Sequence, residues 1–88
     1  MGETLDISTR LVIRKAVYGA LPNGPLTDVT EDVADLVRKN SLMVQATNDR
    51  FGDPANGVVK KLRVDYTIDG VDKSQTVAEN GILSIFLK

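Results

Sequence analysis

The segment NDRFGDPANG, residues 48–57, gathers the side chains of this 88-residue chain best placed to bind something. Asn48, Asp49, Arg50, Asp53 and Asn56 are the candidate ligand-binding residues. Two carboxylates, an amide and loop carbonyls could cage calcium, an ion that takes six to eight oxygen ligands. A carbohydrate or a membrane headgroup is the other ligand class such a polar loop could take. The spacing D-x-x-x-D-P-x-N departs from the EF-hand loop, and GDPANG has neither the Lys-Ser/Thr pair nor the strand, loop and helix order of a phosphate cradle. Two Gly, one Pro, two Asp and two Asn in ten positions are also turn chemistry, in which Asp and Asn close Asx-turns and Pro54 stiffens the chain. The turn reading is the simpler one, and no metal is assigned.

Catalysis meets a harder limit. The chain has no His and no Cys. Serine triads, cysteine nucleophiles, zinc sites and imidazole acid/base steps each need one or the other. Asp49 and Asp53 could serve as a glycosidase carboxylate pair, but such a pair needs a cleft framed by a larger scaffold, and no aromatic platform for a sugar lies nearby. A non-enzyme without a cofactor is therefore expected.

Charge narrows the partners. With 11 basic and 12 acidic residues there is no field of one sign to attract nucleic acid or an anionic bilayer. No apolar run approaches the roughly 20 residues of a spanning helix, and MGETLDISTR lacks the plan of a signal peptide. These features, with the lack of cysteine, lean towards the cytoplasm. The length suits one domain over 1–88, with 1–8 as a flexible extension.

The elements that must position the loop follow from periodicity. TRLVIRKAVYG (9–19) carries apolar residues on both faces, as an interior strand would, with Arg14 and Lys15 as its least comfortable members. ALPNGPL must be a loop, because Pro22 and Pro25 remove ladder donors and Asn23-Gly24 favours positive φ. Residues 28–40 place Val29, Val33, Leu36 and Val37 on a helical stripe, with Asp28 and Glu31 imitating a capping box; this is the one short helix expected, near 29–39. SLMVQATN alternates as a strand, and Phe51 is expected to anchor the following loop over the end of the fold.

VVKKLRVDYTID sets Val58, Leu62, Val64, Tyr66 and Ile68 on one face, interrupted only by Lys60. Asp69-Gly70 then suits a two-residue hairpin turn, which pairs Ile68 with Val71 and so Leu62 with Val77 and Val64 with Gln75. A final turn at 79–81 leads into ILSIFLK. The sum is a mainly β chain, a small antiparallel sandwich of jelly-roll or Ig-like type with five to seven strands.

One resemblance joins these pieces. A-V-Y-G at 16–19, D-V-T at 28–30, D-P-x-x-G-x-x-K-x-L-x-V-x-Y at 53–66 and V-x-E-x-x-x-L-x-I at 77–85 together resemble the C-terminal domain of unknown function of mitochondrial DnaJ-like proteins. No J domain accompanies them. The resemblance implies a β-rich accessory module without established site residues. The expected function is a non-catalytic interaction or assembly module, its partner a protein, another copy of the chain included. The alternative is ligand recognition, of calcium, glycan or headgroup, by residues 48–57.

Overall fold

The computed structural model describes residues 11–53, 55 and 57–86, so the extension expected at 1–8 lies outside the described residues. Among the described residues six strands form two antiparallel sheets. β1 (Leu11–Gly19), β2 (Leu26–Asp28), β4 (Lys61–Ile68) and β5 (Val71–Ala78) make one sheet in the order β2-β1-β4-β5. β3 (Ser41–Gln45) and β6 (Ile82–Phe86) make the other. Inner-face side chains of both sheets share one core, in which Tyr18, Leu42, Leu62, Val64 and Leu83 are fully buried.

β1 is interior, and it handles its two cations with a bulge. Leu11 and Ile13 pair opposite Ile68 and Tyr66, but the register shifts at Arg14, so that Lys15 faces Asp65 and Ala16 faces Val64. One extra residue changes which parity points inward. Leu11 before the bulge and Ala16 and Tyr18 after it are therefore all buried, while Arg14 and Lys15 stay in water.

The β4–β5 hairpin has the expected register: Ile68 pairs with Val71, Val64 with Gln75 and Leu62 with Val77. Asp69 (φ 56°) and Gly70 (φ 79°) both take positive φ, as a primed two-residue turn requires. β4 starts at Lys61, however, three residues later than the apolar pattern suggests. Val58 and Val59 are exposed ahead of it. Beyond β5 the chain changes sheets at a corner. Glu79 N donates to Lys60 O at 2.7 Å, extending the ladder to β4, and Asn80 N donates to Ala46 O at 2.6 Å, which opens the ladder to β3. Asn80 turns this corner at φ 72°.

The expected helix is real but short. α1 spans Thr30–Ala34, and Val29 and Val33 carry its buried stripe. Leu36 and Val37 pack on the core from a looser turn, and Lys39 and Asn40 at positive φ (51° and 61°) stop any continuation. No capping box forms. Asp28 Oδ1 instead accepts from Thr30 N (3.0 Å) and Thr30 Oγ1 (2.6 Å), while Thr30 Oγ1 also accepts from Ala16 N (2.9 Å), tying α1 to β1. Val and Asp are modest helix formers, and Asp bonds its own backbone neighbours readily, which explains the contraction. A second helix corrects the expectation of at most one: α2, Asn48–Phe51, forms the start of the segment read as loop throughout. No described helix is long and apolar enough to cross a membrane.

Asp28 makes the fold acid-sensitive. Its bonds to Thr30 and then Lys15, whose ammonium is 3.1 Å away, lower its pKa from 3.8 to about 2. The folded chain releases this proton more readily than the unfolded one. The stabilisation is thus complete above pH 3.8 and disappears as pH falls towards 2. Asp28→Asn is expected to flatten that part of the curve of melting temperature against pH; an unchanged curve would refute the assignment.

Candidate functional site

The 48–60 segment is built against the sheet corner by two polar anchors. The first begins with Thr47, whose hydroxyl accepts from Arg50 N at 3.2 Å and caps α2. The cap sets Asn48 over the core, where Asn48 Oδ1 accepts a 2.7 Å bond from the Tyr18 hydroxyl. Phe51, buried as expected, packs on Tyr18 with ring centroids 5.2 Å apart at 46°. Gly52 then leaves the helix at φ 84°, a conformation that suits glycine.

The second anchor is Lys60, only 2% exposed. Its ammonium sits 2.8 Å from Asp53 Oδ1 and donates to Ala55 O (3.1 Å) and Val58 O (2.6 Å). Glu79 Oε1 lies 3.6 Å from the same nitrogen and accepts from Lys60 N at 2.9 Å. An ammonium has three hydrogens. Asp53 and the two carbonyls take them, and Glu79 adds charge from the corner. Asp53 holds the Lys60 ammonium above the usual lysine range, outweighing the burial that opposes it. Burial pushes the Tyr18 hydroxyl above its usual range, and the nearby Glu79 charge adds to this.

The five candidate residues are therefore separated. Asn48, half-buried, is bonded to Tyr18, and Asp53, with its side chain 35% exposed, is paired with Lys60. Asp49 and Arg50 are exposed and line an open recess of about 420 Å³ with Gln45 and Thr47. Asn56 lies outside the described residues. Among the described residues no three His, Cys, Asp or Glu side chains come together as a metal site. Asp53 is paired with Lys60 and lines a different recess from Asp49, so the two carboxylates do not share one recess. A charged lysine with all its hydrogens engaged is likewise neither nucleophile nor base.

Lys60, Glu79 and Tyr18 are the residues that sequence reasoning did not assign to this region. A signal for Lys60 was present: it alone interrupts the apolar face of 58–68, and a cation at an inward position must find an anion. Glu79, 19 residues away, carries no local signal.

No family model matches the chain, and no solved structure matches it. A search of curated proteins finds a protein of Formosa agariphila named "Putative beta-glucuronidase", 35% identical over 78 residues. The match covers 88% of this chain and 7% of that protein, so the chain spans a small fraction of its relative's length.

Proposed function

We propose that this domain is a non-catalytic interaction module that docks a protein partner on the outer face of β3–β6. The observation that carries the reading is the apolar character of that face. Ser41 pairs with Phe86, Met43 with Ser84 and Gln45 with Ile82, so each rung offers one polar and one apolar side chain to the outside. Met43, Ile82 and Phe86 are about 60% exposed (60%, 59% and 62%). Apolar groups grouped on one small face mark contact surfaces more often than scattered single ones do. The inner faces, by contrast, are consumed by the core.

Three further points support it. The loop polar groups best suited to chemistry are bonded within the fold, as Asn48 and Asp53 are. The likeness to a small part of a protein with an enzyme's name suits an accessory part better than a catalytic one. The motif order resembling the C-terminal domain of mitochondrial DnaJ-like proteins also implies an accessory role.

A second reading keeps Asp49 and Arg50, whose recess could accept a glycan; the relative's name favours that ligand class. One experiment separates the two. Immobilised wild type, Met43→Gln/Phe86→Gln and Asp49→Ala/Arg50→Ala are compared for protein capture from native lysate, for glycan binding and for turnover of an aryl β-glucuronide. Capture lost only in the first variant supports the module. Glycan binding lost only in the second favours the alternative, and turnover above background in wild type overturns the non-catalytic reading.

A further inference from the structure

β5 ends the four-stranded sheet, so one of its edges has no strand beside it. Which backbone groups face that open side follows from the hairpin. In a two-residue hairpin the residues flanking the turn exchange hydrogen bonds, and bonded and unbonded pairs alternate from there. Val71, Lys73, Gln75 and Val77 therefore bond β4, and Glu79, next in that series, continues it by donating its N–H to Lys60 O at 2.7 Å. Asp72, Ser74 and Thr76 point their N–H and C=O groups the other way. Among the described residues nothing bonds these backbone groups.

Natural sheets blunt their edges with proline, a bulge, short length or charge. β5 has no proline and no bulge: its eight residues pair with β4 without a register shift. Asp72, Ser74 and Thr76 lie on its outer face, all exposed, and Val71, Lys73, Gln75 and Val77 on the inner one. Asp72 and Lys73 are the charges that guard it. An edge of this length is a template for another strand wherever those two charges are accommodated.

We propose that β5 of one copy pairs antiparallel with β5 of a second copy about a twofold axis at Ser74, joining the two four-stranded sheets into one continuous sheet. The strand is self-complementary in that register. Asp72 bonds Thr76 of the second copy, Ser74 bonds Ser74 and Thr76 bonds Asp72; each pair exchanges two bonds, so every open backbone group is satisfied. Val71, 57% exposed, comes opposite Val77, and Lys73 comes opposite Gln75. Neighbouring registers do worse. An axis at Asp72 or Lys73 sets like charges directly opposite each other. An axis at Gln75 or Thr76 brings Ala78 into the ladder, and the Ala78 carbonyl already accepts from Gly81 N at 2.8 Å. The two charges thus select the register rather than close the edge. The contact is isologous and is complete with two copies. It uses backbone at a sheet edge rather than the outer face of β3–β6, and it stands independently of the reading above.

Sedimentation velocity across concentrations up to about 1 mM, the range of weak contacts, tests it. Average mass is expected to rise towards twice that of the monomer and to stop there. Ser74→Pro removes the N–H at the axis, and an edge strand tolerates proline where its N–H faces solvent, so this variant should fold and associate at least about tenfold more weakly. Ser74→Ala loses the side-chain bond to Asp65 Oδ1 but keeps the N–H, and should associate as wild type does. Single cysteines read the register in this cysteine-free chain. With glutathione disulfide as oxidant, Ser74→Cys should cross-link to itself, because bonded pairs place Cα atoms about 5.5 Å apart, within disulfide reach. Asp72→Cys and Thr76→Cys should cross-link to each other when mixed, and at least about tenfold more slowly when each is alone. A mass independent of concentration overturns the proposal. So does association that passes the dimer or survives Ser74→Pro, or cross-linking at equal rates in all the cysteine variants. Association abolished by Met43→Gln/Phe86→Gln but kept in Ser74→Pro also overturns it, and leaves the outer β3–β6 face as the contact. The cysteine series decides by itself if Ser74→Pro fails to fold.

Discussion

Lys60→Met is expected to lower the melting temperature by roughly 10 °C and to free the chain around Asp53, Ala55 and Val58 before the sheet opens. Met matches the length of the lysine stem, so the expected loss comes from the ammonium rather than from a void. Without it the carbonyls of Ala55 and Val58 and the carboxylate of Asp53 lose a donor together. Partly buried acceptors without partners are costly, and a network costs more to break than to omit. Thermal melting by circular dichroism measures the drop, and amide exchange at Val58 and Glu79 locates it. A melt equal to wild type would show that the anchor does not hold the loop.

The same variant has a signature in alkali. The folded chain holds the Lys60 proton above the usual value of 10.5, so this stabilisation is complete below that pH and disappears as pH rises through the higher folded value. Tyr18 acts in the same sense from its usual 10.0. Wild type should therefore lose stability steeply at high pH. In Lys60→Met the decline should be shallower, with only the tyrosine component left.

Tyr18→Ala is expected to destabilise by about 3–5 kcal/mol, and Tyr18→Phe by about 1 kcal/mol. Tyr18 is fully buried in the shared core, and its ring carries Phe51 while its hydroxyl holds Asn48. The alanine variant loses ring packing and the anchor. The phenylalanine variant loses the hydrogen bond alone and leaves Asn48 Oδ1 near enough to solvent to be hydrated. Urea denaturation of both separates the two contributions. Equal losses would mean that the hydroxyl, not the ring, dominates.

The hairpin was legible because two independent signals agree there. Asp69-Gly70 demands a primed turn, and the turn alone sets a register that buries Leu62, Val64 and Tyr66 together. The interior position of β1 was legible from its two apolar faces; the bulge was not, because a shift of one residue is decided by which parity fits the core after Arg14. The candidate loop was legible as turn chemistry, yet four of its residues look alike in sequence, and only packing tells Asn48 and Asp53 from Asp49 and Arg50.

By itself, the amino-acid sequence determined the β class, the β4–β5 register, the breaks at 20–25 and 79–81 and the exclusion of imidazole and thiol chemistry. These follow from side-chain alternation, backbone preference and composition, which act over a few residues. The tertiary structure alone decided that Lys60 would meet Asp53 and Glu79, that Tyr18 would hold Asn48, and that Met43, Ile82 and Phe86 would share an open face. Those partners are brought together by the change of sheet at the 79–81 corner and by the closing of two sheets on one core, and contacts between distant residues leave no periodic trace along a chain.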